Sequence, residues 1–342
     1  MKKLLTKFLV SILSLNLSLP AFSQKIILIN GAGATFPYPL YSKWFYEYAK
    51  IDKTVNFNYQ SIGSGGGIRQ IIAKTVDFGA TDAVMTKEQE KQAGEEILHI
   101  PMTAGAVVLI YNVPELKQQL NLSAELISGI FLGKITRWND KKIQQENPGV
   151  NLPNKKIIVA RRSDGSGTTF IFTDYLCEVS NEWKSKVGKG TSVNWPVGLG
   201  GKGNEGVAGI VKNTPYSIGY VEISYAIQNN LSYAKVKNKA GKYISPSVEA
   251  ITAAIEEKAK NMPADYKVSI VNPDGEKAYP ICGFTWLLVY KKQQDKQKGE
   301  KLVNFLKWAV TDGQKYCADL IYAPLPDNLV KMVLETIKKI EY

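Results

Sequence analysis

Ile26-Ile27-Leu28-Ile29-Asn30-Gly31-Ala32-Gly33-Ala34-Thr35-Phe36-Pro37 is the stretch from which the fold is read. Its first four residues are an apolar, β-branched run of the kind that forms a strand. Glycine and other small residues follow at once. Pro37 and Pro39 suit the first turn of a helix, where a missing N–H costs nothing. A helix is expected over residues 38–48, because Leu40, Tyr41, Trp44, Phe45 and Tyr48 share one face. Strand, glycine turn and helix in direct succession make the repeating unit of an α/β fold.

The unit recurs outward from there. Residues 55–59 read as a second strand, residues 68–73 begin a second helix, and residues 76–80 read as a third strand. Ala106-Val107-Val108-Leu109-Ile110-Tyr111 and Phe284-Thr285-Trp286-Leu287-Leu288-Val289-Tyr290 are continuous apolar runs, as expected of strands buried on both faces. Between them lie a strand at 157–160, a helix at 168–178 and a strand at 217–221. A helix-rich tail occupies about 298–342. This rhythm predicts helices packed on a mostly parallel sheet, and the length suits about two domains at ~100–200 residues each.

The N-terminus has the order of a secretory signal. Met1-Lys2-Lys3 and Lys7 supply positive charge, residues 8–19 an apolar run, and Pro20-Ala21-Phe22-Ser23 a small-residue end. A signal peptide is expected over 1–23, with cleavage after Ser23. The apolar run is short for a membrane span, and no later stretch is long and apolar enough to be one. No cysteine lies near the cleavage site to carry a lipid anchor, so an exported, soluble mature chain is expected. Removing three lysines from the 43 basic residues leaves 40 against 31 acids, a formal charge of +9. A basic balance suits an anionic partner. The lysines are scattered rather than clustered, as on a solvated surface, and nucleic acid is not expected.

Cys177, Cys282 and Cys317 permit one disulfide in an oxidising compartment, or three thiols, and their wide spacing does not resemble a metal site. His99 is the only histidine, which excludes a histidine-rich zinc centre. Its surroundings, Glu95-Glu96-Ile97-Leu98-His99-Ile100, have no catalytic character, and G-x-S-x-G is absent around Ser64 and Ser166.

Three turns share one design. The first is the Gly31–Pro37 turn already quoted. The second is Gly63-Ser64-Gly65-Gly66-Gly67, with Ser64 a natural N-cap. The third is Arg161-Arg162-Ser163-Asp164-Gly165-Ser166-Gly167-Thr168-Thr169, which leaves a strand and enters a helix. A helix N-terminus offers unpaired N–H groups and about half a positive charge, so it attracts anions. Three such turns and an arginine point to an anion with several oxygens. None satisfies the dinucleotide or P-loop pattern. Gly198-Leu199-Gly200-Gly201-Lys202-Gly203 looks similar, but no Ser or Thr follows Lys202; a structural loop is favoured there, with a lining of the cleft as the alternative.

These motifs resemble those of the periplasmic phosphate-binding proteins of high-affinity ABC phosphate transporters. The matching stretches are Gly31–Pro37, Ile62–Gly67, Asp77–Ala83, Leu132–Ile135, Arg161–Thr168, Trp195–Asn204 and Ile218–Glu222, in order along nearly the whole mature chain. The resemblance implies an α/β, two-lobed (type II) binding protein with two interlobe crossovers and a ligand cleft between the lobes. The crossovers are expected near Gly105-Ala106 and Gly283-Phe284. Lobe 1 is then 24–105 plus 284–342, and lobe 2 is 106–283. Carried onto the matching positions, the resemblance makes Thr35, Phe36, Ser64, Asp82, Arg162, Ser166, Gly167 and Thr168 phosphate ligands, with Asp164 holding the Arg162 guanidinium. It implies a periplasmic, monomeric protein without cofactor, metal or enzymatic activity, which delivers inorganic phosphate to a membrane permease. An exported phosphoryl hydrolase, a receptor for another oxyanion and a structural surface protein are the alternatives.

Asp82 carries the expected choice of anion. A carboxylate beside a bound anion in a dehydrated cleft is unfavourable unless the anion offers a hydrogen. Phosphate carries a P–OH donor near neutral pH and sulfate does not, so Asp82 is expected to accept from the first and repel the second. A site with an unsatisfied buried acceptor rejects such an analogue by a factor of about 10⁴ or more.

Overall fold

The computed structural model describes residues 26–260 and 262–342; the expected signal peptide, 1–23, lies outside them. The main sheet is built from β1 (Ile27–Gly33), β2 (Val55–Ser61), β3 (Phe78–Thr81), β4 (Ile97–Asn112), β5 (Ile158–Arg162), β6 (Leu199–Gly201), β7 (Ser217–Glu222) and β8 (Cys282–Tyr290). Their spatial order is β2-β1-β3-β8-β4-β7-β5-β6, and a short strand, Ser232–Tyr233, pairs with β4. None of the helices among the described residues is long and apolar enough to cross a membrane.

The expectation of a mostly parallel sheet is corrected at its centre. β1 runs parallel to β2 and β3, and β5 parallel to β6 and β7. β8, however, lies antiparallel between β3 and β4, and β4 is antiparallel to β7. The outer strands are joined by helical crossovers, which require parallel neighbours. β4 and β8 instead join the two halves of the molecule. From Ile97 to Ala106, β4 pairs with β8; from Val107 to Asn112 it pairs with β7. An apolar run reads alike in either direction, so its composition could not reveal the pairing.

The helices that matter for the site are α1 (Tyr38–Ile51), α2 (Ser64–Ile72), α3 (Gly167–Val179) and α4 (Gly203–Asn213), each following a strand. α1 buries Leu40, Tyr41, Trp44 and Tyr48. The Trp44 indole donates to the Gly313 carbonyl at 2.7 Å, tying α1 to the C-terminal region that carries α5 (Lys296–Ala309) and α6 (Asp327–Ile337). Phe57 packs on Phe305 at 4.4 Å between ring centres and on Phe45 at 4.9 Å. Fully burying such a ring contributes about 1.5–3 kcal/mol. Cys177, Cys282 and Cys317 are all free thiols. His99 is buried on β4, and its Nε2 accepts the Met85 N–H at 3.3 Å.

α2 begins four residues before the apolar pattern does. Ser64 is its first residue and Gly63 its N-cap, so the glycines are the first helical turn and not a loop before it. The reason is packing. A Cβ on Gly67 would sit 2.6 Å from the Ala32 carbonyl oxygen and the Gly33 Cα, and 2.7 Å from the Ala80 carbonyl oxygen. Only glycine lets α2 lie flush on the ends of β1 and β3, and this brings its N-terminus to Asp82. Gly67→Ala is therefore expected to destabilise the protein by about 1–3 kcal/mol, the usual effect of overpacking, read as a lower urea midpoint.

Candidate functional site

Thr35 and Phe36 lie between β1 and α1, Ser64 opens α2, and Asp82 follows β3. All four are buried. Facing them are Arg162 at the end of β5, the turn through Asp164, and Ser166, Gly167 and Thr168 at the start of α3. The structure brings these sequence-predicted residues together. The Gly65 N–H donates to the Gly165 carbonyl at 2.9 Å, so the two glycine turns touch. A Cβ on Gly167 would fall 2.4 Å from both Asp82 Oδ2 and Ser64 Oγ. Gly63, at φ +85°, comes equally close to the opposite turn: its Cβ would meet Asp164 Oδ2 at 2.4 Å. Glycine at these positions permits the approach of one backbone to the other.

Donors converge there. The first N–H groups of a helix have no intrahelical partner. In α2 and α3, Gly65 bonds to Gly165, Gly66 and Gly67 bond to the Gly63 carbonyl, and Thr169 bonds to Ser166 Oγ. Among the described residues, no acceptor takes the N–H of Thr35, Phe36, Ser64, Gly167 or Thr168. The expectation that Ser64 is an N-cap is corrected, since no side chain caps α2. Its Oγ instead accepts the Asp82 N–H at 3.0 Å and lies 3.4 Å from Asp82 Oδ2. Ser166 is the N-cap of α3.

The Arg162 guanidinium is fixed as a fork. Nε and Nη2 donate to the two Asp164 oxygens at 2.8 and 2.6 Å, and Nη1 reaches Thr168 Oγ1 at 3.4 Å. The Gly203 N–H adds a bond to Asp164 Oδ1 at 3.1 Å. Burial works to raise the Asp164 carboxyl, but the Arg162 bonds and charge and the Gly203 N–H hold it below its ordinary value. Such bidentate, charge-assisted pairing orients a guanidinium.

Asp82 behaves in the opposite way. Burial raises its carboxyl to about 7, against the opposing pull of the Thr285 hydroxyl, the Arg162 charge and the Ser64 hydroxyl. Its Oδ1 is buried without a hydrogen-bond partner; the nearby Thr285 hydroxyl points to the Thr81 carbonyl at 3.4 Å. Beside its unused donors the site therefore holds a buried carboxylate oxygen without a partner.

Several residues here were not read from the sequence as site residues. The Gly198–Gly203 segment, expected to be a structural loop, ends at α4, whose buried Asn204 binds both Thr35 and Thr168. The Tyr225 hydroxyl donates to the Thr35 carbonyl at 2.6 Å. Glu222 is wholly buried, with Oε1 unpaired. The Tyr322 hydroxyl lies 2.7 Å from the Phe36 carbonyl and 3.0 Å from Glu222 Oε2. A phenol has one hydrogen. If it goes to Phe36, a proton on Glu222 completes the second bond. Burial raises this carboxyl to about 8, with Ser224 and Tyr322 opposing and Asp82 adding to the rise. The one advance signal was the G-K-G-N run at 201–204, which repeats the glycine-rich helix entry.

Residues 20–313 match the model of the PBP superfamily domain, and the molecule is of the two-lobed substrate-binding class. The chain is 46% identical to the phosphate-binding protein PstS of Pasteurella multocida, over 92% of this chain and 90% of that one. It belongs to the family of PstS phosphate-binding proteins. Solved structures of like fold include a phosphate-binding protein from Stenotrophomonas maltophilia (TM-score 0.68, 20% identity, covering 90% of this chain and 93% of that one). Another is an ABC-type phosphate transport receptor from Vibrio cholerae (TM-score 0.57, 18% identity, 87% and 100%).

The two raised acids set a pH dependence. Their ordinary values are 3.8 for Asp82 and 4.5 for Glu222, against about 7 and about 8 in the fold. Between those limits the folded state holds protons that the unfolded chain has released, so stability falls as pH rises. The Tm of the ligand-free protein is expected to decline from about pH 4.5 to 8. Asp82→Asn and Glu222→Gln should each flatten the decline, as thermal melts across that range will read.

Proposed function

We propose that the protein captures inorganic phosphate in the cleft between its two halves and delivers it, outside the cytoplasmic membrane, to an ABC permease for import. The ligands are Thr35, Phe36, Ser64, Asp82, Arg162, Ser166, Gly167 and Thr168, and Asp164 holds Arg162 in place. The observation that carries this reading is the meeting of unused donors with a buried, unpaired carboxylate oxygen, Asp82 Oδ1. A tetrahedral oxyanion with one hydrogen satisfies both sides. Membership of the PstS family supports phosphate as that anion, and the Vibrio cholerae receptor of like fold supports delivery to a permease.

The lobes are 24–105 with 284–342, and 106–283. The change of partner along β4 between Ala106 and Val107, and the return of the chain through β8, support that division. Closure of one lobe on the other buries the anion, and phosphate shifts the population to the closed form because it binds that form better. The protein acts by binding alone, as a periplasmic monomer freed of residues 1–23. His99, turned to the Met85 N–H, takes no part.

Isothermal titration of the mature chain at pH 8 tests the reading. Phosphate should bind at one site per chain, and sulfate should give no heat at equal concentration. Arg162→Ala should abolish most of the phosphate signal. Asp82→Asn should narrow the gap between the anions, because the amide donates where the carboxylate repels. Equal binding of phosphate and sulfate by the unmodified protein would remove the role given to Asp82.

A further inference from the structure

Asn204 is the second residue of α4 and is wholly buried. Its Nδ2 donates to Thr35 Oγ1 at 2.7 Å and to Thr168 Oγ1 at 3.1 Å. Its Oδ1 accepts the Glu222 N–H at 3.0 Å, and its own N–H reaches Thr35 Oγ1 at 3.3 Å. The Glu222 N–H is a donor only, so it fixes which end of the amide carries oxygen. Both amide hydrogens are thereby committed to the two hydroxyls.

Each hydroxyl has one hydrogen to give and two lone pairs to receive. Thr35 Oγ1 receives the Asn204 N–H and Nδ2. Thr168 Oγ1 receives Asn204 Nδ2 and Arg162 Nη1. With both lone pairs occupied by donors, the only capacity left to either hydroxyl is its hydrogen. Thr35 follows β1 and Thr168 lies on α3, on opposite walls of the cleft, so one side chain also ties the walls together.

We propose that Asn204 is a positioning residue that makes the hydroxyls of Thr35 and Thr168 obligatory donors to the bound anion. This rests on the phosphate reading of the site. The anion is then met by two threonine hydroxyls that can only give hydrogens, and receiving the anion's own hydrogen falls to the unpaired Asp82 Oδ1. Asn204 acts through the two threonines and needs no contact with the ligand.

The test reverses the polarity. Asn204→Asp keeps the shape but, when ionised, offers acceptors where the amide offered hydrogens, so both hydroxyls turn toward the new carboxylate. Asn204→Ala removes the constraint without reversing it. Phosphate affinity is measured by calorimetric titration for the mature chain and both variants between pH 5 and 8, with thermal melts to establish folding. The alanine variant should bind phosphate about tenfold or more weakly, in keeping with the loss of well-placed hydrogen bonds to a charged group. The aspartate variant should bind about a hundredfold or more weakly at pH 8. Its deficit relative to the unmodified protein should shrink as the pH falls and the introduced carboxyl regains a hydrogen. A merely structural role leaves that ratio flat.

Affinities for both variants within about twofold of the unmodified protein, or an aspartate deficit that does not change with pH, would overturn the proposal while the phosphate reading stands. Failure of the unmodified protein to bind phosphate would overturn both. If the aspartate variant does not fold, Thr35→Val decides the matter in the other two backgrounds. It should cost much affinity when Asn204 is present and little in Asn204→Ala; equal costs in both would contradict the proposal.

Discussion

Burial of the Asp82 carboxyl, with one oxygen left unpaired, is the constraint on which the arrangement around it depends. Removing a charge from water costs several kcal/mol even after relaxation. Asp82 answers by holding its proton to about pH 7, and no salt bridge among the described residues neutralises it. Around this acceptor the fold has gathered donors: N–H groups at three chain turns, a guanidinium held in register by Asp164, and hydroxyls whose lone pairs are already taken. The excess of donors requires an anion with several oxygens. Once Asp82 is ionised, above about pH 7, its unpaired oxygen requires that the anion still carry a hydrogen. Phosphate meets both demands near neutral pH.

The backbone makes that chemistry reachable. Gly67 lets α2 lie against β1 and β3, and Gly63, Gly65, Gly165 and Gly167 let the two turns meet with no side chain between them. Behind the turns, Tyr322 and Tyr225 hold the carbonyls of Phe36 and Thr35, leaving the N–H groups of that turn for the ligand. β4 passes through both halves of the sheet and β8 returns beside it. These two strands are the ones that link the β1–β3 side of the sheet to the β5–β7 side.

Most of the donor set was legible in the sequence because it depends on local features. A glycine turn between a strand and a helix announces unpaired N–H groups wherever it occurs, and the Arg162–Asp164 pair lies within one turn of chain. The helix entries at Thr35, Ser64 and Ser166 were found in this way. What stayed hidden depends on distance along the chain. Asn204 meets Thr35 across 169 positions and Thr168 across 36, and Tyr322 meets Phe36 across 286. No spacing rule links such residues, and a lone Asn after Gly203 reads as a cap or a loop. The antiparallel strands at the centre of the sheet were missed for a related reason, since a strand buried on both faces carries no mark of its direction. Ser64 was placed one residue too early in its helix because serine at a helix entry is most often a cap. Here Asp82 takes its hydroxyl into the site instead.

Neutron diffraction from deuterium-exchanged crystals of the phosphate complex tests the role of Asp82 directly, since it locates the hydrogens shared between the anion and the site. A single deuterium is expected between Asp82 Oδ1 and a phosphate oxygen, with the Thr35 and Thr168 hydroxyl deuteriums directed at the anion. A phosphate bound only by amides and the guanidinium, with no deuterium shared with Asp82, would contradict it.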